Sequence, residues 1–157
     1  MKRLILISIC ILTGISSFAQ KQFWGMTITK GSVAGTIFKT DSVGNNYSDV
    51  YVFNNSNDGI DPYGSLIQAN DGNLYGLTKN GGSNNFGTIF KFDPSSLDYT
   101  KIHDFDSING KNPFGSLLQA SNGKLYGMTH SGGMHIEEYY LNLNFPPMFS
   151  QSKLISI

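Results

Sequence analysis

The sequence has little cysteine, arginine or glutamate: one Cys, one Arg and two Glu in 157 residues. Cys10 and Arg3 lie within the first 19 residues, and Glu137 and Glu138 lie within the last 24. The long stretch between them therefore has no thiol for a disulfide, for a covalent nucleophile or for a cysteine-bound metal. It also has no guanidinium group with which to grip a carboxylate or phosphate in a bidentate manner.

The beginning of the chain has the layout of a secretory signal peptide. Lys2 and Arg3 precede an apolar run from Leu4 to Ile15, and small residues then lead to a cleavage site between Ala19 and Gln20. The run is too short to cross about 30 Å of hydrocarbon at about 1.5 Å per residue. We therefore expect removal of residues 1–19, a mature chain without a membrane span, and a secreted or cell-envelope location, either extracellular or periplasmic.

The remaining charge excludes one class of partner. Without Lys2 and Arg3, nine basic residues, all Lys, stand against eleven acidic ones, which gives a net charge of −2. This balance provides no basic surface for nucleic acid or for an anionic membrane. No glycine-rich stretch precedes a helical pattern, so no phosphate-binding loop and no cofactor are predicted.

An internal repeat of about 51 residues dominates the rest of the sequence. Gly64–Thr78 reads GSLIQANDGNLYGLT, and Gly115–Thr129 reads GSLLQASNGKLYGMT. A fixed period of this size is typical of repeat architectures. The tandem β repeats span 20–133, with units at 23–73 and 74–124 and a partial unit at 125–133. The signature of an aromatic residue, Gly, an aliphatic residue and Thr occurs three times: Trp24–Thr27, Tyr75–Thr78 and Tyr126–Thr129.

Each unit reads as four short strands separated by turn residues. The apolar runs in the second unit are Leu74–Thr78, Gly87–Phe92, Tyr99–Phe105 and Ser116–Ala120. Asp71-Gly72 and Asn122-Gly123 each lie between two runs, which predicts hairpins with type I′ turns. No segment of the repeats keeps a period of 3.6 residues, so helices are not expected.

Four strands in about 50 residues, repeated, are typical of a β-propeller blade. A β-sandwich would not need its second half to copy its first. We predict an all-β fold, a propeller-like array of four-stranded antiparallel blades. Because propellers use about four to eight blades, an array of about two blades plus a stub is incomplete and would leave edge strands open.

The segment 134–157 departs from the repeat. A third copy should supply another Gly-Thr-Ile-Phe-Lys after Gly133, but no glycine follows, and the chain's two glutamates appear there. We interpret this divergent tail as the product of a frameshifted or truncated reading frame, or as a disordered segment. The alternative is a natural C-terminal extension of unrelated sequence.

The combined pattern resembles a known family. The order Gly-Ser-Leu-Ile-Gln-Ala-x-Asp-Gly-Asn-Leu-Tyr-Gly-x-Thr, Gly-Gly and Gly-Thr-Ile-Phe-Lys is similar to the GloVer tandem repeat of secreted bacterial proteins, and covers nearly everything from Phe23 to Gly133. The resemblance implies a propeller-like array and an extracellular or envelope setting. It implies no established activity and hence no catalytic residues.

An enzyme is not predicted. Ser83–Phe90 resembles a degenerate Asp-box turn of sialidase propellers, but sialidases hold their substrate with arginines, and we interpret the box as structural. Glycosidases need a pair of carboxylates beside the scissile bond, and Glu is absent from the repeats. Two weak metal patterns are interpreted as ordinary loops, so no metal is expected: His130, His135 and Glu137, and Asp104, Asp106 and Asn109-Gly110.

Four aromatic residues at repeated positions are the candidate binding residues: Tyr63, Tyr75, Phe114 and Tyr126. The favoured interpretation is that such rings fill the space between blades. The functional alternative is a row of exposed rings that stacks on sugar faces. The sequence thus favours a binding or structural module whose partner is a glycan or protein at the cell surface. Two alternatives stay open: a non-functional fragment of a longer repeat protein, and a fragment of a propeller-type carbohydrate-active enzyme.

Overall fold

The protein is described here from a computed structural model, which covers residues 21–29, 31, 33–108, 110–132 and 153–156, the last of these as backbone only. The signal peptide with its cleavage site, and most of the segment 134–157, lie outside these residues. Within them the regular structure is entirely β. The strands are β1 (Gln22–Thr27), β2 (Thr36–Asp41), β3 (Ser48–Val52), β4 (Ile60–Pro62), β5 (Ile67–Gln68), β6 (Leu74–Asn80), β7 (Thr88–Phe92), β8 (Tyr99–Asp104), β9 (Lys111–Pro113), β10 (Leu118–Gln119), β11 (Leu125–Ser131) and β12 (Lys153–Ser156).

The strands form three antiparallel sheets that follow one another along the chain. The first sheet has the order β1-β2-β3. In the second, β4 and β5 both pair with β6, and β7 and β8 follow on its other side. In the third, β9 and β10 pair with β11, and β12 lies on the other side of β11. Because β4 and β5 occupy a single edge, the second sheet is a four-stranded blade whose first strand is broken in two. This arrangement confirms the predicted all-β, incomplete propeller-like array.

The first half of that broken strand was not predicted from the sequence. β4 has three residues and ends in a proline, and β9 repeats this design 51 residues later. Asp61 and Asn112, the middle residues of these strands, have φ values of 53° and 50°, so neither segment has the regular alternation of a strand. The second sheet therefore begins at Ile60, inside the unit 23–73, and ends within the unit 74–124.

The two Gly-containing turns join the expected strands with a different geometry. Asp71-Gly72 connects β5 to β6 and Asn122-Gly123 connects β10 to β11, so both predicted hairpins are confirmed. A type I′ turn needs positive φ at both central residues, but only the glycines have it, 84° at Gly72 and 81° at Gly123. The Ala69 N–H donates to the Asn73 carbonyl (2.9 Å), which leaves a three-residue loop. The prediction of a type I′ turn was wrong. Each loop has three residues instead of two, and its third residue, a glycine with positive φ, forms a bulge.

The glycine of the aromatic-Gly-aliphatic-Thr signature makes room for a ring on the next strand. A Cβ at Gly76 would overlap the Phe90 ring, and a Cβ at Gly25 would overlap the Phe38 ring in the same way. Phe90 lies opposite Gly76 in the β6–β7 register, as Phe38 lies opposite Gly25 in β1–β2. The β2–β3 and β7–β8 pairings also shift register at equivalent points, just before these phenylalanines. The repeat is therefore conserved between the two sheets down to side-chain packing.

Two apolar clusters join consecutive sheets. The cluster between the first and second sheets is built on Ile37, Phe53, Leu74, Phe90 and Phe92, and the cluster between the second and third on Ala69, Leu77, Ile89, Phe105, Leu117 and Leu125. Six repeat positions contribute one residue to each cluster, including the half-buried residues packed against it. The two residues at each position are 51 or 52 apart in sequence: Trp24 and Tyr75, Met26 and Leu77, Ile37 and Ile89, Phe53 and Phe105, Leu66 and Leu117, Leu74 and Leu125. The same positions thus form each junction, and burial of their apolar surface stabilises the array.

The described end of the divergent segment joins the third sheet. The backbone of β12 places Ile155 opposite Gly127 and Lys153 opposite Thr129. These are the register positions that Phe90 and Thr88 have opposite β6 in the second sheet. Residues Lys153–Ser156 therefore occupy the place in the third sheet that β7 occupies in the second.

Candidate functional site

Tyr63 and Phe114 come from successive repeats and lie against each other. Each follows the buried proline that ends β4 or β9. Their ring centroids are 4.1 Å apart with an interplanar angle of 28°, so the two rings are stacked. Phe114 remains 48% exposed, and Tyr63 is half-buried. We call this feature the aromatic pair.

Hydrogen bonds between the repeats hold the aromatic pair in place. The Ser65 N–H donates to Ser116 Oγ (2.8 Å), and the Asn70 N–H donates to Gln119 Oε1 (3.0 Å). A Cβ at Gly64 would overlap the Gly115 carbonyl group, so the two copies approach at backbone distance. The copies of Gly-Ser-Leu-x-Gln-Ala therefore form one continuous surface, which we call the seam.

A cation and an amide lie next to the aromatic pair. Lys79 Nζ is 5.9 Å from the centroid of the Phe114 ring, within cation–π range. Asn112 Nδ2 donates to the Lys79 carbonyl (3.1 Å) and to Asn80 Oδ1 (3.2 Å), which fixes the end of β6. Neither Lys79 nor Asn112 was predicted as a site residue from the sequence. Asn112 could have been predicted from its equivalence to Asp61 in the preceding repeat. The Asp61 carboxylate also contacts Asn80, accepting a hydrogen bond from Asn80 Nδ2 (2.8 Å).

Tyr75 and Tyr126, the other two candidates, are held by their own turns. The Tyr75 hydroxyl donates to Asp71 Oδ2 (2.8 Å), and Asn122 Nδ2 donates to the Tyr126 hydroxyl (3.0 Å). Tyr75 packs against the cluster between the second and third sheets. Burial raises the pKa of Tyr75 to about 12, and its bond to Asp71 acts in the same direction. The structure thus brings together two of the four candidates, and gives Tyr75 a packing role.

The segment that resembles an Asp box holds the turn between β6 and β7. Asp104 accepts hydrogen bonds from Ser83 N–H (2.9 Å) and Ser83 Oγ (2.9 Å), and Asn84 Nδ2 donates to the Phe105 carbonyl (3.0 Å). Burial alone would raise the pKa of Asp104, but the bonds from Ser83 and Lys101 outweigh it and lower that pKa below its usual value. The polar groups of this segment are therefore engaged within the protein.

The described residues hold no group of three or more His, Cys, Asp or Glu side chains placed to bind a metal ion. His135 and Glu137, which form one of the weak metal patterns together with His130, lie outside that part of the chain. In the same part of the chain, no helix is long and apolar enough to cross a membrane.

Comparison with known proteins identifies the family. Neither the curated proteins nor the solved structures include a significant match to this chain. The sequence model of the Gloeobacter/Verrucomicrobia repeat matches residues 13–139, which is most of the chain and includes every complete repeat unit. This match confirms the resemblance drawn from the aromatic-Gly-aliphatic-Thr and Gly-Thr-Ile-Phe-Lys signatures. The protein belongs to the Gloeobacter/Verrucomicrobia repeat family.

Proposed function

We propose that this protein is a secreted, non-catalytic binding module, and that the aromatic pair holds a carbohydrate. One observation carries the proposal: equivalent positions of two successive repeats place Tyr63 and Phe114 in a stack that stays open to solvent. The favoured packing role explains Trp24 and Tyr75, which lie in the clusters between sheets. Neither cluster includes Tyr63 or Phe114, so their stack lies outside the apolar cores between sheets and remains open to solvent.

A carbohydrate suits the chemistry of this surface. A sugar ring presents an apolar C–H face, which packs on an aromatic ring, and hydroxyl groups at its edge, which need hydrogen-bond partners. Ser65 and Ser116 are exposed beside the pair and offer hydroxyl groups, while Lys79 offers a donor over Phe114. The hydrogen bonds across the seam use amides and the side chains of Ser116 and Gln119, not carboxylates. That chemistry fits holding a glycan rather than cleaving it, since glycosidases use paired carboxylates.

Affinity electrophoresis in native gels tests this proposal. The gels would contain soluble polysaccharides of different linkage: a β-1,4-glucan, a β-1,3-glucan, a galactomannan and a pectin. We expect at least one polysaccharide to retard the parent protein, and Tyr63→Ala and Phe114→Ala to abolish the retardation. Ile108→Ala, at an exposed apolar residue outside the seam, should migrate like the parent. Unretarded migration of the parent in every gel, or equal retardation of both aromatic variants, would overturn the proposal.

Secretion needs a separate experiment. We expect the protein recovered from the medium or periplasm of an expressing bacterium to begin at Gln20, by intact mass and N-terminal sequencing. Protein that stays in the cytoplasm with residues 1–19 attached would contradict the proposed location.

A further inference from the structure

Each sheet of the array has two different apolar faces. The second sheet contacts the third through Ile67, Tyr75, Leu77 and Ile89, which we call its forward face. It contacts the first through Leu74, Phe90, Phe92 and Tyr99, which we call its rear face. Each internal junction therefore joins the forward face of one sheet to the rear face of the next.

The forward face of the third sheet is exposed. Leu118 and Met128 occupy the repeat positions of Ile67 and Leu77. Leu118 is 67% exposed and Met128 is 59% exposed, whereas Leu77 is fully buried. Residues that form a core at the preceding junction thus face solvent here.

The rear face of the first sheet is exposed as well. Phe38 and Tyr47 stack with ring centroids 5.1 Å apart at 28°, which reproduces the Phe90–Tyr99 stack at 5.1 Å and 29°. Phe23, at the repeat position of the buried Leu74, is 58% exposed. The first sheet therefore carries the preformed aromatic stack of a rear face with no preceding sheet on it among the described residues.

We propose that a second copy of this chain supplies what both faces lack. The forward face of the third sheet in one copy packs on the rear face of the first sheet in the other, and the reciprocal contact closes a ring of six sheets. The positions Leu118, Met128, Phe23, Phe38 and Tyr47 are equivalent to residues that already pack at the internal junctions, although Thr40 stands where the second sheet has Phe92. This equivalence argues for a second copy as the occupant. Six sheets lie within the range of about four to eight in closed propellers. A head-to-tail contact of this kind makes a ring when its rotation closes.

Sedimentation velocity over a concentration series tests the assembly on the secreted protein. We expect a species of twice the chain mass. Met128→Asp on the forward face and Phe23→Asp on the rear face should each raise the dimer dissociation constant about tenfold or more, because each buries a charge at the contact. Val43→Asp, in a turn residue that is 75% exposed, is the matched control and should remain dimeric.

A mixing experiment separates loss of contact from loss of fold. In a pair formed by Met128→Asp and Phe23→Asp chains, both changes fall on one contact and the other contact is unaltered. Mixing should therefore restore association that each variant lacks alone. A monomer at all concentrations, an open-ended series of larger species, dimers of both variants as stable as the parent, or failure of the mixture to associate would each overturn the proposal.

Discussion

Thr78 and Thr88 join two neighbouring strands through their hydroxyl groups, whose oxygens lie 2.8 Å apart in the buried interior of the second sheet. Thr27 and Thr36 form the same pair in the first sheet at 3.0 Å. In the third sheet, Thr129 Oγ1 is buried and has no hydrogen-bond partner within the described part of the chain. The reason is visible in the register, since a lysine stands opposite Thr129 instead of a threonine.

The three threonines of this repeat position should respond differently to removal of the hydroxyl. Thr78 Oγ1 bonds Thr88 Oγ1, the Thr88 N–H and the Asn80 carbonyl. Thr78→Val should lower the free energy of unfolding by about 1–3 kcal/mol, because it leaves buried partners unsatisfied. Thr129→Val should be neutral or stabilising, since no bond is lost. Urea denaturation of both variants checks this, and an equal loss at the two positions would contradict it.

The two glycines that lie under aromatic rings offer a second matched pair. Gly76→Ala places a methyl group against Phe90, which is fully buried and cannot move aside, so we expect a loss of about 1–3 kcal/mol from overpacking. In the unassociated chain, Gly25→Ala meets Phe38, which is half-buried at the rear face of the first sheet and has room to shift, so both variants are compared at concentrations where the chain is monomeric. The loss there should be smaller. Thermal unfolding of the two variants measures both losses. A larger loss for Gly25→Ala than for Gly76→Ala would contradict this packing.

The repeat made much of the fold predictable. Three of the four predicted runs in the second unit, Leu74–Thr78, Gly87–Phe92 and Tyr99–Phe105, correspond closely to β6, β7 and β8. They could be predicted because each has its own apolar pattern and a turn signal at its end. β4 and β9 could not, because a three-residue strand with a positive φ at its centre is held by its neighbour rather than by its own sequence.

The candidate site was predictable only in part. Recurrence drew attention to Tyr63 and Phe114, but no feature of the sequence shows that they stack on each other. That contact depends on the close approach of Gly64 to Gly115, which the packing of whole sheets determines. Tyr75 recurs just as regularly, yet its hydroxyl is bound to Asp71 and its ring packs on a cluster. Recurrence therefore identifies important positions without separating binding from packing.

The junction between the first and second sheets should make the protein sensitive to alkali. Burial raises the pKa of Tyr51 to about 12, with the charge of Asp58 adding to it, and burial also raises the pKa of Tyr99 above its usual range. In the unfolded chain both phenols ionise near pH 10. Because the folded state keeps its protons longer, the stability that these groups contribute is fully present below about pH 10 and is lost as pH rises toward the folded pKa values.

Urea midpoints at pH 9 and pH 11 measure this effect. The drop between the two should be smaller in Tyr51→Phe and Tyr99→Phe than in the parent, since phenylalanine does not ionise. The comparison with these variants removes the contribution of lysines that titrate in the same range. The same drop in parent and variants would show that the two phenols are not responsible.

The stack of Tyr51 on Tyr99 joins the first sheet directly to the second, with ring centroids 4.2 Å apart and planes only 6° from parallel. The claim that the first and second sheets pack face to face through aromatic side chains requires these two residues to be energetically coupled. A double-mutant cycle on Tyr51→Ala and Tyr99→Ala, measured by urea denaturation, isolates that coupling from the loss of other contacts, such as the bond from the Tyr99 hydroxyl to the Asp58 carbonyl in the loop before β4 (2.5 Å). We expect a coupling of about 0.5–1.5 kcal/mol; losses that add to within about 0.3 kcal/mol would contradict packing of the two sheets through this pair.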